Sequence, residues 1–238
     1  MKYHFYNANI LSEGKILHGD VVVEDEKIIY VGKDISVKAD REIDVKGNVL
    51  MAGFVNAHVH TPMTLLRGVA DDMELYSWLY DNIFPAEQKL TPDDVYWGEM
   101  LGIAEQVRAG ITAFDENYFH FDAIIDAVKK SGIRCRLGLP GNFNSKSAKE
   151  MNEFLDLYIS KLDNKLIKPA IYAHSIYTLS EEELSILVDY SAKHKLPVCM
   201  HLAETLKEVG DCTVKNECTP PEYLEKLGFL DRPSTLYH

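Results

Sequence analysis

Five of the nine histidines in this 238-residue chain fall at or just past the ends of apolar runs: His58, His60, His174, His201 and His238. The tightest grouping is His58-Val59-His60. Side chains at i and i+2 of a strand share a face, so two imidazoles there converge on one point just past the strand end. His201 closes the apolar stretch Leu196 to Met200 and offers a third nitrogen. Glu204, three residues on, is a carboxylate placed to reach over the same point as a proton shuttle. His174 follows Ile167 to Ala173, and His238 ends the run opened by Ser234. His4, His18, His120 and His194 read as structural or surface residues. Neutral imidazoles with an added carboxylate suit zinc, iron, nickel or manganese rather than calcium or magnesium. A catalytic cation of this kind keeps a position for water and lowers its pKa toward neutrality, so the chemistry expected is metal-assisted hydrolysis or hydrolytic deamination.

Positioning such a cluster requires several strands that end at the same level. Residues 1 to about 50 read as short strands punctuated by turn residues, a small sheet or half-sandwich. From Val49 the pattern changes to alternating strands and helices. Strands are expected at Val49 to Ala57, Thr112 to Phe114, Arg134 to Leu139, Ile167 to Ala173, Leu196 to Leu202 and from Ser234. Helices are expected from Pro92 to Ala109, Phe121 to Ser131, Ala148 to Leu162, Glu181 to His194 and Pro221 to Leu227. Thr91 before Pro92-Asp93-Asp94 and Ser180 before Glu181-Glu182-Glu183 supply N-caps, and Gly110 and Gly132 supply stops. Near-continuous apolar strands alternating with helices point to an α/β fold with a parallel sheet. Periodicity alone allows a barrel or a doubly wound sheet. Histidines at four of the six strand ends favour the barrel, where catalytic groups sit at the C-terminal ends of the strands.

The bulk numbers exclude more than they identify. A formal net charge of -12 repels phosphate backbones and anionic membranes, so neither nucleic acid nor a membrane is an expected partner. The four cysteines lack CxxC spacing and are too sparse for a disulfide scaffold. With no signal-peptide pattern at Met1 and no long apolar run, a cytoplasmic location is expected.

The stretch Gly53-Phe54-Val55-Asn56-Ala57-His58-Val59-His60-Thr61-Pro62-Met63-Thr64-Leu65-Leu66-Arg67-Gly68 resembles a signature of the amidohydrolase superfamily. The similarity is to its branch of 5'-methylthioadenosine/S-adenosylhomocysteine deaminases and chlorohydrolase-like enzymes. His174-Ser175 with Tyr177, and His201-Leu202-Ala203-Glu204-Thr205, resemble two further motifs of that branch. The resemblance implies a (β/α)8 TIM-type barrel, of which about six strands lie in residues 51–238, and a small β-sandwich half in residues 1–50. It implies that one divalent metal ion, zinc in the first instance, is held by His58, His60 and His201. It assigns the acid/base role to Glu204 and the water-polarising role to His238. Glu87 resembles a residue that binds ribose hydroxyls, and His174 one that contacts substrate. The implied activity is hydrolytic deamination of an aminated purine nucleoside or related heterocycle, with metal-bound hydroxide attacking the ring carbon. Trp78 reads either as lining the mouth or as helix packing, and Arg136 is the candidate for a substrate-tail arginine.

The resemblance also implies a fourth metal ligand, an aspartate after an eighth strand. Asp115 is the internal stand-in within this sequence. Six strands leave sheet edges and apolar surface open, so a C-terminal segment of a longer chain, a second polypeptide or a homo-oligomer is expected to complete the fold. Alternative readings are another member of the superfamily, acting on guanine, cytosine or a chlorinated triazine, and a non-catalytic metal-binding remnant. A carboxylated lysine bridging two metals is not expected, because the fourth strand ends Tyr172-Ala173-His174-Ser175.

Overall fold

The computed structural model describes residues 1–33, 35–140, 147–162 and 165–238. The chain divides into two compact units, Met1–Phe54 and Val55–His238.

In the first unit, β1 (Lys2–Ser12) and β2 (Lys15–Glu24) form an antiparallel hairpin. Glu13 and Gly14 both take positive φ (50° and 72°), as a tight primed turn requires. β3 (Lys27–Gly32), β4 (Arg41–Asp44) and β5 (Val49–Met51) complete a five-stranded sheet ordered β3-β2-β1-β4, with β5 also on β1. Ala8, Ile10 and Val21 make its small core. Buried Asp20 ties the sheet by accepting from His4 Nε2 at 2.9 Å and from the Ile35 amide at 3.0 Å.

The second unit is built on six strands in strict chain order: β6 (Phe54–Val59), β7 (Ile111–Glu116), β8 (Arg134–Pro140), β9 (Ile167–Tyr172), β10 (Val198–His201) and β11 (Ser234–Tyr237). From β7 to β11 each neighbouring pair is parallel. The intervening helices are α1 (Leu75–Ser77), α2 (Phe84–Glu87), α3 (Pro92–Arg108), α4 (Phe121–Ser131), α5 (Ala148–Lys161), α6 (Glu181–His194), α7 (Leu206–Asn216) and α8 (Pro220–Lys226). Capping boxes open α3 at Thr91 and α6 at Ser180, the two N-caps expected from the sequence, and others open α5 at Ser147 and α8 at Thr219. Each cap contributes about 0.5–2 kcal/mol.

Alternation along the strands sorts the side chains into two layers. Cys135, Leu137, Leu139, Ile171, Val198 and Met200 pack outward into the main core with Ile124, Leu155 and Leu187 from the helices. Tyr172, Cys199 and Tyr237 form a separate inward cluster. The sheet is strongly curled: Tyr237 on β11 stacks on His58 of β6 with ring centroids 3.9 Å apart, and its hydroxyl donates to Asp115 of β7 at 2.6 Å.

Three sequence expectations are corrected. The apolar run Val49 to Ala57 is not one strand. It splits at Ala52-Gly53, giving Val49–Met51 to the first sheet and Phe54–Val59 to the second. The second repeat strand runs on through Asp115 to Glu116 rather than ending at Phe114, which brings a buried acid to its end. Helix α7 carries few apolar residues, and the sequence pattern did not reveal it. It is started by Thr205, whose side chain accepts from the Glu208 amide. Among the described residues no helix is long and apolar enough to cross a membrane. All four cysteines are buried and free.

Candidate metal and catalytic site

The inward layer at the C-terminal strand ends is made of imidazoles. His58 Nε2 lies 3.2 Å from His201 Nε2. The ring of His60 is 5.0 Å from that of His58 and 5.5 Å from that of His201, centroid to centroid. His174 is 4.9 Å from His201 by the same measure, and His238 is stacked on His201 at 5.3 Å. The structure thus brings together all five histidines singled out from the sequence. The tightest set of nitrogens is His58, His201 and His238, whose ligand atoms all lie within 4.8 Å of one another.

Backbone carbonyls fix two of the tautomers. His60 Nδ1 is 2.6 Å from the Asn117 carbonyl oxygen, and His201 Nδ1 is 3.0 Å from that of His174. A carbonyl only accepts, so each Nδ1 carries the proton and each Nε2 presents a lone pair. This is the outer-shell arrangement that orients a ligating histidine. Two imidazole nitrogens on one tetrahedral zinc, each about 2.0–2.1 Å from it, lie roughly 3.3–3.4 Å apart. The 3.2 Å separation of the His58 and His201 nitrogens fits that donor set.

The electrostatics agree. Burial, reinforced by neighbouring imidazoles, holds His58 down to about 4, His174 to about 4 and His201 to about 2, against the ordinary 6.5. His60 is lowered by burial as well, with Glu204 pulling the other way. Neutral, metal-competent imidazoles are therefore the resting state at neutral pH.

Glu204 is half-buried beside this cluster, and the Tyr177 hydroxyl donates to its Oε2 at 3.1 Å. Its backbone is held by Glu208, nearly fully buried, whose carboxylate accepts from the Ala203 amide at 3.1 Å and the Glu204 amide at 2.9 Å. Ala203 sits at φ 56°, an unfavourable region for a residue with a Cβ, so the turn that presents Glu204 is held by that clamp. His174 accepts or donates through Nδ1 with the hydroxyls of Ser175 (3.1 Å) and Thr178 (3.2 Å). Glu87, at the end of α2, is pushed up by burial, an effect partly offset by the Tyr118 hydroxyl. Tyr118 immediately follows Asn117, the residue that orients His60.

Two sequence candidates have other roles. Asp115 does not reach the histidines. Its Oδ2 accepts from Arg136 Nη2 and from Tyr237 Oη, with Cys199 Sγ at 3.9 Å. Arg136 in turn donates to Thr235 Oγ1 at 2.8 Å. Cys199 and Thr235 lie two residues before His201 and Tyr237, so this ion pair forms the layer beneath the site. Asp115 is therefore no stand-in ligand, and Arg136 is committed to it rather than free for a substrate tail. Residues 141–146 lie outside the described residues. Trp78 donates from Nε1 to the Ala70 carbonyl at 3.1 Å, tying down the loop after His60.

Sequence reasoning missed Glu116, Glu99, Asn117 and Glu208. Their positions in outward-facing or loop segments gave no signal beyond a charged residue amid apolar ones. Glycines at 98 and 102, four apart on α3, are the readable trace. A Cβ at Gly102 would lie 2.3 Å from Thr61 Cγ2, and one at Gly98 would lie 2.7 Å from the Pro62 carbonyl oxygen. Only glycines let the turn after His60 seat on α3.

Imidazoles gathered at the C-terminal ends of curled parallel strands lie where α/β-barrel enzymes place their active sites. The chain belongs to the amidohydrolase family, whose model matches residues 49–237. It is 36% identical over 234 residues to a 5'-deoxyadenosine deaminase of Methanothrix thermoacetophila, covering 98% of this chain and 56% of that protein. It is 40% identical over 205 residues to a 5-methylthioadenosine/S-adenosylhomocysteine deaminase of Acetivibrio thermocellus, covering 84% of this chain and 47% of that protein. A zinc-bound adenosine deaminase from Xanthomonas campestris superposes with a TM-score of 0.89 at 30% identity, covering 98% of this chain and 56% of that one. The chain thus spans about half the length of the curated relatives it matches.

Proposed function

We propose that the full-length protein is a metal-dependent hydrolytic deaminase of an adenosine-type nucleoside altered at its 5' position, such as 5'-deoxyadenosine, 5'-methylthioadenosine or S-adenosylhomocysteine. The observation that carries the reading is the set of neutral imidazoles, with two Nε2 lone pairs fixed by backbone carbonyls, beside a carboxylate held by Tyr177 and Glu208. The names and identities of the relatives support the substrate class. Two further strands outside this chain would close an eight-stranded barrel.

His58, His60 and His201 would hold the divalent cation, with zinc the first choice and iron, nickel or manganese the alternatives. When bound, the cation supplies Lewis acidity that makes water a competent nucleophile near neutral pH. His238 orients and polarises that water. Glu204 takes a proton from the water and delivers it to the ring nitrogen adjacent to the carbon under attack. The second proton of the attacking water passes from the new hydroxyl to the exocyclic amine, the C–N bond breaks to release ammonia, and the carbon becomes a carbonyl. Glu87 receives the ribose hydroxyls and His174 contacts the substrate.

A second ligand set has a specific observation in its favour: the tight nitrogen triad is His58, His201 and His238. The two sets separate on metal retention. His60→Ala loses metal under the first and His238→Ala under the second.

The functional test is ammonia release from the three nucleosides by zinc-loaded full-length protein and by Glu204→Gln. Loss of a proton shuttle is worth about 10²–10⁴-fold in kcat, with metal content unchanged. No turnover of any aminated purine nucleoside by the unmodified protein would overturn the reading.

A further inference from the structure

A buried pair of acids lies behind the metal-facing histidines, in the outward layer. Glu116 ends β7, one residue past inward-facing Asp115, so its side chain points toward α3. Glu99 sits on α3 between Gly98 and Gly102, the two glycines that seat the turn after His60. Both side chains belong to residues with no exposed surface at all. Neither has a basic partner among the described residues. Burial of two carboxyls without a counter-charge is costly and calls for a compensating role.

The hydrogen bonds supply that role. Glu116 Oε2 accepts from the Thr61 amide at 2.9 Å, and Oε1 accepts from its neighbour, the Asn117 amide, at 2.8 Å. Thr61 directly follows His60. Asn117 is the residue whose carbonyl takes the His60 Nδ1 proton at 2.6 Å. One carboxyl therefore bridges the two backbone segments on either side of the His60 ring. Bonding the amide of Asn117 anchors that residue one peptide unit before the carbonyl that meets His60. Fixing the amide of Thr61 fixes the exit of the chain from His60. The neighbouring Gly138 leaves room for the Asn117 side chain, since a Cβ there would lie 1.9 Å from Asn117 Oδ1. Glu99 oxygens make no hydrogen bond of ordinary geometry, and burial together with the adjacent Glu116 pushes its carboxyl well above the usual range. Burial raises Glu116 too, to about 8, so the two neighbouring carboxyls share the same penalty.

We infer that Glu116 is a positioning residue for His60, bridging the Thr61 and Asn117 amides so that the His60 Nε2 lone pair is aimed at the cation. The inference rests on the proposed metal centre, of which His60 is a ligand.

The test measures zinc affinity by chelator competition, and the visible absorption of the cobalt-substituted site, in the full-length protein. Glu116→Gln keeps size but leaves one acceptor oxygen for two amides. It is expected to weaken zinc about 10–100-fold, the usual cost of an outer-shell change, and to shift the cobalt spectrum. Glu105→Gln, on the exposed face of α3, is the control and should move neither. Should Glu116→Gln not fold, Glu116→Asp, too short to reach both amides, is read by the same criteria. Zinc affinity within threefold of the unmodified protein, with an unchanged cobalt spectrum, overturns the inference while leaving the metal centre standing. An unmodified protein that takes up neither zinc nor cobalt overturns the metal centre, and the inference with it.

Discussion

The interior of the six-stranded sheet holds two polar layers only two residues apart along the strands, and they differ in how charge is balanced. In the lower layer Asp115 faces Arg136, and Tyr237, Thr235 and Cys199 close around the pair. Opposite charges meet there and the chain supplies its own compensation. In the upper layer five imidazoles crowd together, and His58 Nδ1 is buried without a partner. The lower layer thus pairs opposite charges within the chain, with only Asp115 Oδ1 left without a partner, whereas the upper layer gathers like groups whose lone pairs converge. The second is the site proposed above to hold the cation.

The contrast can be tested from its largest expected effect downward. Arg136→Ala leaves Asp115 buried and unpaired, and should cost about 3–5 kcal/mol of stability, read as a shift in the denaturation midpoint. A loss below about 1 kcal/mol would mean that the lower layer is not self-compensating. His201→Ala should leave stability of the metal-free protein little changed or improved, yet weaken zinc by more than the roughly 100-fold typical of outer-shell changes. Equilibrium dialysis decides that point, and retained zinc would remove His201 from the ligand set.

Acid should act on the upper layer. His58 and His174 are held at about 4 and His201 at about 2, while the unfolded chain titrates near 6.5. Below 6.5 the unfolded state therefore binds more protons than the folded one. The stability tied to neutral imidazoles is fully present above pH 6.5 and is lost as pH falls from there toward 4, continuing lower for His201. The slope is up to about 1.4 kcal/mol per pH unit for each group. Melting the metal-free protein between pH 7.5 and 5 tests this, and a flat profile would contradict it. The smallest effect is expected for Tyr237→Phe, which keeps the ring stacked on His58 but removes the bond to Asp115. About 0.5–1.5 kcal/mol of stability should be lost, and zinc affinity should stay the same.

The histidines were legible in the sequence because a strand end is a simple thing to read: an apolar run, then an imidazole. The helix caps at Thr91 and Ser180 were legible for the same reason, being local. What escaped depends on which way a residue faces after folding. Asp115 and Glu116 are adjacent in the chain, yet one enters the interior beside Arg136 and the other turns outward to Glu99. Nothing in a Phe-Asp-Glu-Asn string distinguishes them until the strand's phase is known. The division of Val49 to Ala57 between two sheets was hidden likewise, because an apolar run does not say which sheet it joins. Helix α7 was obscured by polarity, since Leu206 and Val214 are among its most exposed residues and only Cys212 and Glu208 turn inward.

The seat made by Gly98 and Gly102 has a consequence for how this protein tolerates variation. Substitutions there preserve or even raise the helical preference of α3, so the helix itself would survive. The damage would be exported to Thr61 and from it to His60, some forty residues away in sequence. A change to alanine at position 102 should therefore present as a metal-binding defect in a well-folded protein, and a survey of harmful variants would group α3 with the strands of the proposed metal site although it contributes no ligand to it.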